Sequence, residues 1–209
     1  MAEKFKKYAG NEIDVEFSAT RCIHAAECVH NLPGVFNPDA RPWIKPDGGN
    51  AGEIAKAIAQ CPSGALRYKL KNGPEEKPDA APTGQVTANG PVYLRGEMDV
   101  GGTKEKRAAL CRCGASHNKP HCDNSHEEIR FKEDGANAAK TVAAVAPKAG
   151  ALKLTPFPNG PVQVEGPLTL KNAKGEVIYQ GEKCFLCRCG ASQTKPMCDG
   201  SHAKAGFTT

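Results

Sequence analysis

Ten cysteines stand in this 209-residue chain, and six of them fall into two groups of identical spacing. The first group is CRCGASHNKPHCDNSH, which holds Cys111, Cys113, Cys122 and His126. The second, CRCGASQTKPMCDGSH, lies seventy-six residues on and holds Cys187, Cys189, Cys198 and His202. Each offers three thiolates and one imidazole. A Cys-x-Cys pair can bind one metal ion from adjacent loop positions, and a Cys and a His four residues apart can bind another. Zinc and iron–sulfur clusters both accept such donors, so the spacing alone leaves both open. Cys22, Cys28 and Cys61 lie apart near the start, and Cys184 is left over.

Composition narrows the setting. The charge of +5 is mild and dispersed, with no basic stripe for nucleic acid. The opening MAEKFKKYAG lacks the apolar segment of a signal peptide. The longest apolar run, VAAVA from Val142, is too short to span a bilayer. The expectation is a soluble, cytoplasmic protein, where clustered cysteines signal metal or redox chemistry rather than disulfides. No Ser–His–Asp set, acid pair or phosphate loop is visible, so no enzyme is expected.

Three blocks must position these residues. Residues 1–70 read as a small α+β domain. EIDVEF alternates Ile13, Val15 and Phe17 as a half-buried strand does, GEIAKAIAQ sets Ile54, Ala55 and Ile58 on one helical face, and ALRYKL reads as a returning strand. Residues 71–84 are polar and proline-rich, a linker. The remainder is a repeat, 85–131 and 151–209, joined by 132–150. NGPV occurs at Asn89 and Asn159, and each copy reads as a strand, a hairpin-like stretch, a Cys-rich loop and a short helix. One copy of about fifty residues buries little core alone. Two copies can cover one face against each other, as subunits of a symmetric dimer do.

Both motifs resemble the CDGSH iron–sulfur domain family (mitoNEET-like), matching its pattern C-x-C-x2-S-x3-P-x-C-D-G-S-H at every position but Asn124, where the second copy has Gly200. The resemblance implies a tandem β-sandwich with internal pseudo-twofold symmetry and two 2Fe–2S clusters. Its ligands would be Cys111, Cys113, Cys122 and His126 in one copy, and Cys187, Cys189, Cys198 and His202 in the other. Asn is the best substitute for Gly at positive φ, so the first cluster is expected to form. Asp123 and Asp199 precede a short helix and could cap it, with the His in its first turn. Arg112, Lys119, Arg188 and Lys195 flank the ligands and could offset cluster charge; for Arg112 and Lys119 a solvated loop surface is the plain alternative. Pro120 and Pro196 set loop shape.

RCIHAAECVHNLPGVF with CPSGAL resembles a single-cluster ferredoxin over Cys22–Leu66. Such ferredoxins use C-x2-C-x2-C with a distant Cys-Pro. Cys22 and Cys28 fit the outer positions, Cys61-Pro62 the distant one, and Ala25 stands at the middle. A missing corner ligand implies 3Fe–4S; 4Fe–4S with a non-cysteine ligand, His24 for example, is the alternative, and three buried free cysteines are the plain one. His30, His117 and His121 fall outside the ligand positions. Cys184 reads as an inert, partly buried thiol, and Trp43 as packing over the first domain. The functions in play are electron transfer to an unknown redox partner, delivery of 2Fe–2S units to an apo-acceptor, redox sensing, or a zinc-stabilised interaction module. The duplication implies a monomer that contains its own pseudo-dimer.

Overall fold

The computed structural model describes residues 4–136, 141–142 and 148–209. The chain forms two compact units, Met1–Lys77 and Pro78–Thr209.

In the first unit β1 (Lys6–Tyr8), β2 (Ile13–Phe17) and β3 (Leu66–Leu70) form an antiparallel sheet in that order. Ile13 and Val15 of β2 are buried, as their alternation requires. Asp14 between them is buried too, because Lys7 and Lys71 bring ammonium groups to 2.7 and 2.8 Å of its carboxylate. The short α1 (Glu27–Asn31) and α2 (Ala51–Ala59) complete the unit. α2 starts where Asn50 Oδ1 accepts from Gly52 N at 2.8 Å, an N-cap. Its buried face carries Ile54, Ala57 and Ile58; Ala57 takes the place expected for Ala55, which is half-buried. Trp43 packs on this core, 4.8 Å from the Phe17 ring and 6.2 Å from Phe36.

The second unit is a repeat at the level of strands. Copy one supplies β4 (Thr83–Val86), β5 (Val92–Val100), β6 (Thr103–Leu110) and α3 (Ser125–Glu128). After β7 (Thr141–Val142), copy two supplies β8 (Ala151–Pro156), β9 (Val162–Lys171), β10 (Val177–Leu186) and α4 (Ser201–Lys204). β4 pairs antiparallel with its own β5 and parallel with β9 of the other copy. β8 likewise pairs antiparallel with β9 and parallel with β5. The copies therefore exchange their first strands. The four strands close a ring, and β6 and β10 extend it outward. This reciprocal pairing is the expected pseudo-twofold. Leu94, Met98 and Leu110 of copy one fill a common core with Leu152, Val164, Leu170 and Leu186 of copy two. Neither copy encloses that core alone, so apolar burial holds the pair together.

Two details depart from the sequence reading. β4 begins at Thr83, inside the stretch expected as linker, because it is the strand that bridges both copies. Cys184 is buried in the shared core rather than partly buried. Of the 132–150 connection, residues 137–140 and 143–147, with most of the VAAVA run, lie outside the described residues. Among the described residues no helix is long and apolar enough to cross a membrane.

Candidate metal centres

Each tandem motif hangs from the end of a hairpin strand. β6 stops at Leu110, and the loop beyond it folds back: Cys111 N donates to Pro120 O at 2.9 Å and Cys122 N to Ala109 O at 2.8 Å. Copy two repeats this with Cys187 N to Pro196 O and Cys198 N to Phe185 O, both at 2.8 Å. Ser116 and Ser192 are buried staples, donating to His121 O at 2.6 Å and Met197 O at 2.7 Å. The Lys119–Pro120 and Lys195–Pro196 peptides are cis.

These loops gather the donors into pairs. Cys111 and Cys113 Sγ lie 3.7 Å apart, and Cys187 and Cys189 Sγ 3.6 Å. Cys122 Sγ lies 3.5 Å from His126 Nδ1, and Cys198 Sγ 3.5 Å from His202 Nδ1. Metal–ligand distances of ~2.0–2.3 Å in a tetrahedron give a donor–donor edge of ~3.3–3.8 Å, so each pair has the spacing of one edge of a tetrahedral metal site. Among the described residues no three His, Cys, Asp or Glu side chains converge on a single ion. Each motif thus presents two donor edges, as a two-metal cluster needs. The ring nitrogen turned toward the thiol is Nδ1 in both copies, which the sequence could not give.

Backbone N–H groups point at the sulfurs. Ala115 N, Asn124 N, Ala191 N and Gly200 N each lie 3.4 Å from Cys113, Cys122, Cys189 and Cys198 Sγ respectively. Cys111 is held down to about 6, chiefly by the Cys113 thiol and then, against burial, by N–H groups of Ser116, Gly114 and Cys113. Burial pushes Cys122 up to about 11. Burial also lowers His126, favouring the neutral ring that a ligand must be.

Asn124 has φ 72° and Gly200 φ 86°, the left-handed position expected of both. They, rather than the aspartates, are the N-cap residues. Asp123 nonetheless ties the helix start to the loop: its carboxylate accepts from Ser125 N at 3.1 Å, Ser125 Oγ at 2.6 Å and His117 N at 2.7 Å. Burial pushes Asp123 up, and these hydrogen bonds outweigh it and bring it to about 2. Asp199 repeats the arrangement with Ser201 N and Gln193 N.

Arg112 is not on a solvated surface. It is 1 % exposed, donates to Gly90 O and Thr87 O at 2.8 Å each, and pairs with Glu133. Burial lowers it to about 10, and the thiol charge that counters this most is Cys187 of the other copy. Arg188 is buried in the same way and donates to Gly160 O at 2.9 Å. The two Cys-x-Cys loops in fact touch across the pseudo-twofold. A Cβ on Gly114 would lie 2.4 Å from Cys189 O, and one on Gly190 2.3 Å from Cys113 O. Both glycines have positive φ. This contact was not legible in the sequence, although the Gly following each Cys-x-Cys was its visible trace.

In the first unit Cys22, Cys28 and Cys61 line one cavity together with Ala25, His24, Ile23, Phe17 and Trp43. The three thiols are half-buried rather than buried. Burial raises Cys28 to about 11, with Cys61 and then Cys22 adding to it, so the sulfurs lie within electrostatic reach of one another. Positive φ at His24 (50°) and Ala26 (59°) curls the loop around the cavity, a backbone shape that turns N–H groups toward an anion. Buried Arg21 donates to Ser63 O at 2.9 Å and ties the turn after Cys61 to the loop that starts at Cys22.

Two duplicated, paired-donor loops on a strand-exchanged ring, preceded by a three-thiol cavity, define a modular metal-binding protein. Residues 8–71 match the family described as divergent 4Fe-4S mono-cluster, and residues 89–127 and 159–203 match the iron-binding zinc finger of CDGSH type. The chain belongs to these families: a divergent 4Fe–4S mono-cluster domain followed by two CDGSH domains. Both are binding modules rather than enzymes. The uncharacterized protein YjdI of Escherichia coli (strain K12) is 40% identical over 67 residues, 32% of this chain and 88% of that protein. YjdI of Escherichia coli O157:H7 matches to the same extent. No solved structure matches.

Proposed function

We propose that this protein is a one-electron carrier with three iron–sulfur clusters. Two are 2Fe–2S units held by Cys111, Cys113, Cys122 and His126 and by Cys187, Cys189, Cys198 and His202. The third is held by Cys22, Cys28 and Cys61. The observation that carries the reading is the arrangement of each motif as two donor edges of 3.5–3.7 Å. A structural zinc site needs four donors around one ion, which disfavours the zinc-module reading. For the first unit, the family description names a four-iron cluster, which favours 4Fe–4S over 3Fe–4S.

When bound, such clusters take up and release single electrons without bond rearrangement. The chain's residues set the terms. N–H groups directed at the sulfurs and the buried Arg112 and Arg188 offset the added negative charge, which raises the potential. The buried positions of Cys111, Cys122 and Cys187 keep water from those sulfurs. A monomer follows from the strand exchange, since each copy already has its partner. A cytoplasmic setting fits ten cysteines with no disulfide among them.

A second reading is supported by one observation: His126 and His202 are half-exposed, as are Cys113, Cys189 and Cys198, while Cys111, Cys122 and Cys187 are buried, so the His side of each motif is open to a partner. The His edge is where a cluster could leave for an apo-acceptor. Anaerobic incubation with an apo-ferredoxin separates the two. Electron transfer predicts that visible absorbance stays with this protein and that a chemically reduced sample is reoxidised by a one-electron acceptor. Movement of iron and sulfide to the apo-ferredoxin within minutes would instead establish the carrier reading.

A further inference from the structure

The two CDGSH sites share their ligands but not their surrounding charge. Copy-two counterparts lie seventy residues on along β5 and seventy-six residues on from β6 to the helix. Glu127, exposed beside the ligand His126, becomes Ala203, and Glu128 becomes Lys204. The buried Glu105 sits 3.3 Å from His121, the residue before ligand Cys122, and becomes Gly181, with Met197 in place of His121. Three carboxylates that adjoin the first site therefore face a glycine, an alanine and a lysine at the second. The bases Arg130 and Lys132 of copy one, absent from copy two, are exposed like Glu127 and Glu128 and offset them in part; three carboxylates against two bases still leave the first site the more negative, while the second carries Lys204. The Arg112–Glu133 pair does not separate the sites, because Arg112 lies within reach of Cys187 as well as Cys113.

Resting on the cluster assignment above, we propose that the tandem unit is a graded pair. The site of Cys187, Cys189, Cys198 and His202 is reduced at the higher potential, and an electron delivered to the unit settles there. The step is a single electron transfer: an external one-electron donor is oxidised, one cluster is reduced, and no bond or proton moves. Reduction adds negative charge, so carboxylates at the first site oppose it and Lys204 at the second favours it. The stacked Phe157 and Phe185, whose counterparts are Thr87 and Ala109, exclude some water near the second site and act in the opposite sense. Each is 38 % exposed, so the charge difference decides. The Cys113–Gly114 and Cys189–Gly190 contact supplies a short route between the two loops.

The test is an EPR-monitored redox titration of the full chain. The His-ligated signals are picked out by nitrogen hyperfine coupling, and His126→Cys removes that coupling from the first site alone. Among molecules that carry a single electron on the pair, the second site should hold it at least ten times as often as the first, which corresponds to about 59 mV for a one-electron couple. Glu127→Ala with Glu128→Lys, both at exposed positions, should shrink that ratio at least threefold. The reverse pair, Ala203→Glu with Lys204→Glu, should shrink it from the other side. Equal potentials, a reversed order, or a ratio that neither exchange moves would overturn the gradient while leaving the clusters in place. Loss of all His-ligated signals from the parent would overturn the cluster assignment and the gradient with it.

Discussion

Cys61 reaches Cys22 across thirty-nine residues of chain, whereas His126 reaches Cys111 across fifteen. In the first unit the fold comes first. A three-stranded sheet and α2 bring the turn at Cys61 against the Cys22 loop, and Arg21 to Ser63 locks the two. In the second unit the motif loop closes on itself through its own backbone, and the fold's task is to set one loop against the other. The difference separates two vulnerabilities. The first site depends on its unit's core, and the tandem sites depend on each other.

The largest effect is expected at the shared contact. Gly114→Ala drives a methyl into Cys189 O and demands a left-handed alanine, and Gly190→Ala does the converse. Either should cost about 3 kcal/mol or more. Both CDGSH clusters should be lost together while the first unit keeps its iron, which iron analysis and visible spectra would show. Loss of one cluster only would mean that the sites are independent. Next in size, Arg112→Ala strands Glu133 and leaves Thr87 O and Gly90 O without the buried donor, so unfolding of the second unit should come about 3–5 kcal/mol earlier in denaturant titration. A surface arginine would cost less than about 0.5 kcal/mol.

A smaller effect falls on electronics alone. His126→Cys and His202→Cys should each lower the potential of the altered site, because a fourth thiolate adds negative charge, and potentiometry of the two variants reads this directly. The smallest concerns acid and the first unit. Lys7 and then Lys71 hold Asp14 well below the usual carboxylate range. A depressed carboxyl stabilises above its unfolded pKa of about 3.9 and loses that contribution as pH falls toward the folded value. Thermal stability of the first unit should therefore drop below about pH 4, and Asp14→Asn should flatten the drop while lowering stability at pH 7.

Much of the site was legible because sixteen contiguous residues carry it. The left-handed Asn124 and a short helix just after the third Cys follow from local chemistry, although the cap is Asn124 rather than Asp123. So do the strands at Ile13 and Val92, whose alternation reports one buried face. What the sequence could not show is long-range. Arg112 looks like any loop arginine until Gly90, Thr87 and Glu133 close over it, and β4 reads as linker because its second partner, β9, lies some eighty residues away. Asp14 looks outward by alternation, and only Lys7 and Lys71 make its burial possible.

In the proposed carrier each CDGSH motif holds two irons and the first unit a separate cluster. Native mass spectrometry of the anaerobically purified full chain tests it most directly. The account predicts a single-chain ion whose excess mass equals two 2Fe–2S units plus one 4Fe–4S unit, with Cys113→Ser and Cys189→Ser each removing one 2Fe–2S and Cys61→Ser removing only the larger cluster. An excess mass of one zinc per motif, or an obligate two-chain ion, would contradict it.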